Sequence, residues 1–458
     1  MLYSAPLPYQ PDAASYFAAV RDLPWAGWLD SGGTGRFDII VAQPVATLVT
    51  RGQCTEIRDP PGVRISDDDP FVIVRQQLGE IIAPAPGIPF AGGALGYWSY
   101  DLGRRYHRLS GSARDAEHLP EMSVGIYDWA IVIDHLELTA RLVSRQRFPE
   151  TASQLPKILD RLDTIPTSAQ STESFRVEGL VSSSLGAAAY RSAFDAVQNY
   201  LKTGDCYQVN LARRYVAKAS GDAYGAFLEL RRRSPAPYSA FLDWPVAQIL
   251  CASPERFLQV REGKVETKPI KGTRRRSADQ AEDARLAEEL RRHPKDRAEN
   301  LMIVDLLRND LGKTCKPGSV RAPKLFDVES FANVHHLVST VEGDVQKGYD
   351  ALDVLRACFP GGSITGAPKQ RAMEIIEQLE PYRRGIYCGA IGYVGHDGNM
   401  DTNIAIRTLV YSEGSIRCWA GGGIVADSEC DAEYQETLDK AAPMLEVLQR
   451  FGGNIVHG

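Results

Sequence analysis

Between Arg36 and about Arg147 the chain is a succession of short apolar runs, each cut off by glycine or proline within a few residues. The segments FDIIVAQPVATLVT, FAGGALGYWSYDLG and MSVGIYDWAIVIDHLELTARLVS predict strands and hairpins. A helix predicted over SQLPKILDRLDTI leads into the polar stretch PTSAQSTES, the best linker in the sequence. The chain is thereby divided into residues 1–165, a linker at 166–178, and residues 179–458. Beyond the linker the texture changes to longer helices interleaved with strands. Helices are expected at Ala187–Lys202, Asp222–Arg233, Asp279–Arg292, Lys295–Leu311, Ala351–Phe359, Pro368–Leu379 and Ala432–Arg450. Strands are expected at Ala247–Ala252, Gly385–Val394, Met400–Tyr411 and Ser415–Ala420, with a hairpin turning at Glu262-Gly263. Long antiparallel strands punctuated by helices make this a large α+β body.

Composition excludes several functions. With 44% hydrophobic residues and a net charge of -6, the chain is neither disordered nor a generic nucleic-acid binder. No run of about 18 uncharged apolar residues exists to span a membrane, and the N-terminus lacks the pattern of a signal peptide. The eight cysteines include no CxxC pair and read as reduced thiols, which suits a cytoplasmic protein.

Two acidic pairs stand at helical spacing. Asp296 and Glu299 lie in KDRAENLMIVDLLRND, and Glu433 and Glu436 in DAEYQETLDKAAPMLEVL, with Lys440 four residues further on. Residues three apart share a helix face, so each pair projects two carboxylates in one direction. A hard dication such as magnesium is one compensation for that repulsion, and a solvated helix face is the other. Spacing alone does not decide between them.

Glu255 and Lys271 flank the expected hairpin, whose register could bring both onto one surface. A lysine amine is a nucleophile when deprotonated, and burial favours that form. A solvated basic patch accounts for Arg274, Arg275 and Arg276 better than for Lys271, which lies between Ile270 and Gly272. The segments Gly361-Gly362-Ser363-Ile364-Thr365-Gly366 and Gly421-Gly422-Gly423 could let backbone amides approach an anion, or could be turns. Neither is a P-loop or a GxGxxG fingerprint, and no GxSxG nucleophile elbow occurs. His336, in NVHHLVST, lies on a predicted strand.

Taken together, FAGGALGYWSYDLGRR, GDCYQVNLARR, SPERF, KPIKGT, KDRAENLMIVDLLRND, HHLVST, FPGGSITGAPKQRAMEIIE and AGGGIVADSECDAEYQET resemble the chorismate-utilising enzymes over nearly the whole chain. The resemblance implies a two-subdomain α+β fold with antiparallel sheets packed face to face and helices outside. It is nearest to the members that form 4-amino-4-deoxychorismate, which carry the lysine of Pro269-Ile270-Lys271-Gly272-Thr273, where anthranilate-forming members carry alanine. Gln208, in CYQVNL, stands where isochorismate-forming members have a water-activating lysine.

The implied chemistry is conversion of chorismate and ammonia to 4-amino-4-deoxychorismate for 4-aminobenzoate and folate synthesis, with Lys271 as nucleophile and Glu255 as general acid. Mg2+ would be held by Glu299 and Glu436, with Asp296 and Glu433 nearby. Arg407, Lys440, Gly422 and Gly423 would hold the enolpyruvyl carboxylate, while Gln208, His336, Thr365 and Tyr387 would line the ring. A glutamine amidotransferase subunit would supply ammonia as the partner in a heterodimer. The N-terminal half would carry an L-tryptophan pocket at Ser31, Arg36, Phe37, Pro237, Tyr238 and Ser239, with a short loop near Gly32–Gly35. Anthranilate synthesis, or an inactive tryptophan-binding subunit on the same fold, are the alternatives.

Overall fold

The computed structural model describes residues 2–163, 174–331 and 334–455. Two large sheets form the body. The first has thirteen strands. Its path runs from Tyr3–Leu7 through Thr139–Ser144, Trp129–Asp134, Phe37–Val41 and Ala26–Asp30 to Tyr238–Trp244 and Ala247–Ser253. It continues through Thr408–Ser412, Ser415–Ile424 and Gln208–Ser220 to Arg176–Ser183. The second has twelve strands, from Ile270–Arg275 and Val334–Asp344 at one end to Cys54–Asp59 and Gly62–Ser66 at the other. Among the described strands pairing is antiparallel except where Arg176–Ser183 meets Asn454–Ile455.

The sheets pack face to face because successive side chains on a strand point to opposite sides. Ala240 and Leu242 enter the core between the sheets, while Phe241 joins the core beneath the helices. Trp244 of the first sheet stacks on Tyr97 of the second at 6.2 Å between ring centroids. Helices Ala14–Val20, Pro149–Asp163, Tyr224–Arg233 and Cys430–Arg450 cover the outer face of the first sheet. Pro70–Leu78 and Ala351–Cys358 cover that of the second. Among the described residues no helix is long and apolar enough to cross a membrane, and all eight cysteines are free thiols.

Both sheets take strands from each side of the expected linker. Residues 166–173 of that stretch lie outside the described residues, and its end at 176–178 belongs to strand Arg176–Ser183. Two expected elements differ in a way that matters for the site. FDIIVAQPVATLVT crosses from one sheet to the other, with Phe37–Val41 in the first and Ala46–Arg51 in the second. Met400–Tyr411, expected as one strand, breaks at 404–407: Met400–Asn403 ends in the second sheet and Thr408–Ser412 starts in the first. Arg407 lies in that crossing with a positive φ of 49°.

Candidate active site

The site forms where the two sheets meet the helices Pro294–Leu311 and Cys430–Arg450. Glu255 follows strand Ala247–Ser253 and is 6% exposed. Its backbone is pinned on both sides: its N–H donates to Ser253 Oγ at 3.2 Å, and its carbonyl accepts from the Ile404 N–H at 3.0 Å. Ser363 Oγ donates to the carboxyl Oε1 at 2.8 Å. Burial pushes the Glu255 carboxyl up to about 7, against the downward pull of Ser363, Lys271 and Lys440. A carboxyl there can hold a proton near neutral pH and give it to a leaving group.

Lys271 lies on strand Ile270–Arg275 opposite Leu337, with a side chain only 13% exposed. Its strand does not adjoin the Arg256–Arg261 hairpin; Val334–Asp344 is inserted between. The charge of Lys271 nevertheless reaches both Glu255 and Glu299, and its Nζ lies 4.0 Å from Glu299 Oε2.

The two acidic pairs face each other across the helices. Burial raises the carboxyls of Glu299 and Glu433 above the usual range, and Glu436 adds repulsion to each. Burial would also raise Glu436, but the Lys440 ammonium, 2.5 Å from its Oε1, together with Lys271 and Lys295 outweighs it and holds that carboxyl low. Ser428 Oγ donates to Glu433 Oε1 at 2.6 Å. Lys295 Nζ stands 4.0 Å from Glu299 Oε1 and 3.9 Å from Glu433 Oε1, bridging the helices. Gly422 lines the gap: a Cβ there would lie 3.2 Å from Glu433 Oε2 and 3.6 Å from Glu436 Oε1. Asp296 is engaged differently, by Arg274 at 3.1 Å and His293 Nδ1 at 3.0 Å. Arg274 and Arg276, expected as a solvated patch, are instead ion-paired, the first to Asp296 and Glu289 and the second to Asp283. Arg275 is exposed.

Among the described residues no three acidic, histidine or cysteine side chains already enclose a single point. A hard dication that takes one or two carboxylates with substrate and water oxygens needs no such cage. The donors present, crowded carboxylates facing Lys271, Lys295 and Lys440, fit that kind of ion.

A second set of groups can take an anion. Arg407 is largely buried, and its nearest hydrogen-bond partner is Ser234 Oγ at 3.5 Å. No carboxylate pairs with it among the described residues, and desolvation holds its guanidinium below the usual value. Its charge, after burial, helps push the His336 imidazole down to about 4, so that ring is neutral at physiological pH. Thr273 Oγ1 lies 2.9 Å from His336 Nδ1. Lys440 Nζ donates to the Gly421 carbonyl at 3.1 Å. Gln208 is fully buried, with both amide atoms unpartnered among the described residues. A Cβ at Gly423 would come within 3.0 Å of that amide. Thr365 Oγ1 donates to the Gly361 carbonyl at 2.9 Å. Tyr387 stacks on Trp419 at 6.1 Å, and its phenol is raised by burial.

Ser363, Ser428 and Lys295 were not singled out from the sequence. Lys295, four residues before Glu299 on one helix, is the one that helical spacing could have flagged.

A separate cavity of about 570 Å3 opens between the sheets. Ser31, Arg36, Phe37, Pro237, Tyr238 and Ser239 all line it, with Arg256, Asp401 and the segment Pro84–Pro89 opposite. Ser31 Oγ is buried without a partner among the described residues. Arg36 is clamped by Asp134 at 2.8 and 3.0 Å.

Comparison with known proteins gives a consistent result. A family model described as chorismate binding enzyme matches residues 28–446. The chain is 50% identical over 451 residues to aminodeoxychorismate synthase component 1 of Klebsiella aerogenes, an alignment covering 97% of this chain and 98% of that one. It is 47% identical over 455 residues to the protein of the same name from Salmonella typhimurium, covering 97% of each. Among solved structures, anthranilate synthase component I from Streptococcus pneumoniae TIGR4 superposes with a TM-score of 0.80 at 31% identity, over 90% of this chain and 92% of that one.

Proposed function

Because this chain belongs to the chorismate-binding enzymes, we propose that it converts chorismate and ammonia to 4-amino-4-deoxychorismate through a covalent Lys271 adduct. The relatives named aminodeoxychorismate synthase component 1 support the product. The observation that carries the lysine is its place: a largely buried amine between a protonatable Glu255 and the carboxylate group of Glu299.

In this reading the Lys271 amine attacks C2 of the ring. The ring double bond shifts, the C4–O bond breaks, and Glu255 supplies the proton with which the hydroxyl leaves as water. Ammonia then forms the C4–N bond, the double bond shifts back, and the C2–N bond breaks to release Lys271 as an amine. The enolpyruvyl ether stays intact. Arg407, Lys440 and the amides of Gly422 and Gly423 hold the enolpyruvyl carboxylate, and the neutral His336 ring, Thr365 and Tyr387 orient the substrate. The unpartnered Gln208 amide offers a donor and an acceptor but no base to turn water into hydroxide.

Glu299 and Glu436 would hold Mg2+, with Asp296 and Glu433 beside them. When bound, the ion neutralises the ring carboxylate of the substrate. The "component 1" of the relatives' names supports a second component, to which we assign glutamine hydrolysis and ammonia supply. We assign the cavity at Ser31 and Tyr238 to L-tryptophan; its volume is that of a small-ligand pocket. The free thiols favour a cytoplasmic setting.

Incubation with chorismate, ammonium and Mg2+, with no lyase added, tests the product. Mass spectrometry is expected to find 4-amino-4-deoxychorismate. Strong anthranilate fluorescence would overturn the assignment.

A further inference from the structure

The acidic site is already charge-balanced without a metal. Asp296 faces Arg274, Glu436 faces Lys440, and Glu299 faces Lys271. Among the described residues Glu433 has no cation within 4.0 Å other than Lys295, which it shares with Glu299. Lys295 thus ties helix Pro294–Leu311 to helix Cys430–Arg450, spanning the gap in which a cation would lie. Its side chain is 43% exposed, so it can leave for solvent without breaking a packed core.

We infer that Lys295 is a resident counter-ion that occupies the metal's electrostatic place, and that its charge makes metal binding depend on the substrate. This rests on the metal assignment of the preceding section. With every carboxylate already facing a cation, a dication entering alone leaves an excess positive charge in a half-buried site, where each uncompensated charge is costly. A dicarboxylate entering alone brings one negative charge more than Arg407, unpaired among the described residues, takes up. The two together add no net charge, so each raises the affinity of the other by the same factor. Lys295 is the adjustable member of the set: Lys440 lies against Glu436, whereas Lys295 touches neither of its carboxylates closely. Removing its charge leaves the site negative and ready to take the dication unaided. Lys295 is therefore a positioning residue, acting on the metal through Glu299 and Glu433.

Calorimetric titration of the full chain with Mg2+ alone, and again with an unreactive cyclic dicarboxylate analogue of chorismate, tests this. Wild type is expected to bind Mg2+ weakly alone and more tightly with the analogue. Lys295→Met is expected to bind Mg2+ alone on the order of tenfold more tightly, with the substrate effect correspondingly smaller. Lys295→Arg, which keeps the charge, should restore wild-type behaviour, and Lys295→Gln should repeat the Met result. Circular dichroism is expected to be unchanged in all three. Unchanged or weaker Mg2+ binding by folded Lys295→Met and Lys295→Gln overturns the role of Lys295 while leaving the metal assignment intact. Failure of wild type to bind Mg2+ even with the analogue overturns both.

Discussion

Lys271 Nζ lies 4.0 Å from Glu299 Oε2, joining the end strand of the second sheet to the helix that carries one of the two acidic pairs. The proposed nucleophile and the proposed metal group are therefore one electrostatic unit. A change at either is felt at the other, which organises the expectations below.

Glu255 is placed to donate a proton once per turnover. Glu255→Gln keeps the shape and the contact with Ser363 but cannot donate as an acid. Removing a general acid costs about 10²–10⁴ in rate. We expect kcat to fall in that range while chorismate affinity changes little, measured by single-turnover kinetics and equilibrium binding.

The pH dependence follows from the same carboxyl. Burial raises Glu255 from its usual value to about 7, so the acid form is depleted as pH rises through 7, and kcat should fall tenfold per unit beyond it. The stability linkage has the same sign. The protonated group favours the folded state fully below the ordinary carboxyl range, and that contribution is lost as pH rises through about 7. Melting curves of the protein and of Glu255→Gln across pH 4–8 should differ by this slope. Parallel curves would place the proton elsewhere.

Arg407 has a buried guanidinium with no carboxylate beside it among the described residues, a cost that only an anionic ligand offsets. Arg407→Met should raise the melting temperature of the substrate-free protein by a few degrees. It should also weaken chorismate binding by about 2–5 kcal/mol, the usual loss when one partner of a buried charge pair is removed. Thermal shift and equilibrium binding read the two effects separately. A lower melting temperature with unchanged binding would contradict this role.

Much of the scaffold could be read from the sequence. Helix Ala187–Lys202 has the expected limits because Gly186 opens it and Thr203-Gly204 closes it, both local signals. The break at 404–407 was not legible, since nothing local separates Met400–Asn403 from Thr408–Ser412. It exists because the two strands join different sheets, and it is what turns Arg407 inward. Asp296 was grouped with Glu299 by spacing, yet Arg274 and His293 engage it, a tertiary choice that helical periodicity does not encode. The acidic pairs were visible as pairs; that they face each other across Lys295 depends on how two distant helices dock.

At Gly422 the backbone comes close to both carboxylates of one acidic pair. Its missing Cβ would meet Glu433 and Glu436 at 3.2 and 3.6 Å. Gly422→Val should displace both carboxylates and raise the Mg2+ half-saturation on the order of tenfold, as for other residues that orient metal ligands. The measurement is a Mg2+ titration of activity at saturating chorismate, and an unchanged midpoint would place the ion away from this strand.

The covalent role of Lys271 is tested most directly by intact-protein mass spectrometry after incubation with chorismate and Mg2+, ammonium withheld. Wild type is expected to gain the mass of chorismate less one water, and Lys271→Ala to gain nothing. An adduct of the same mass on Lys271→Ala would show that another group forms the bond.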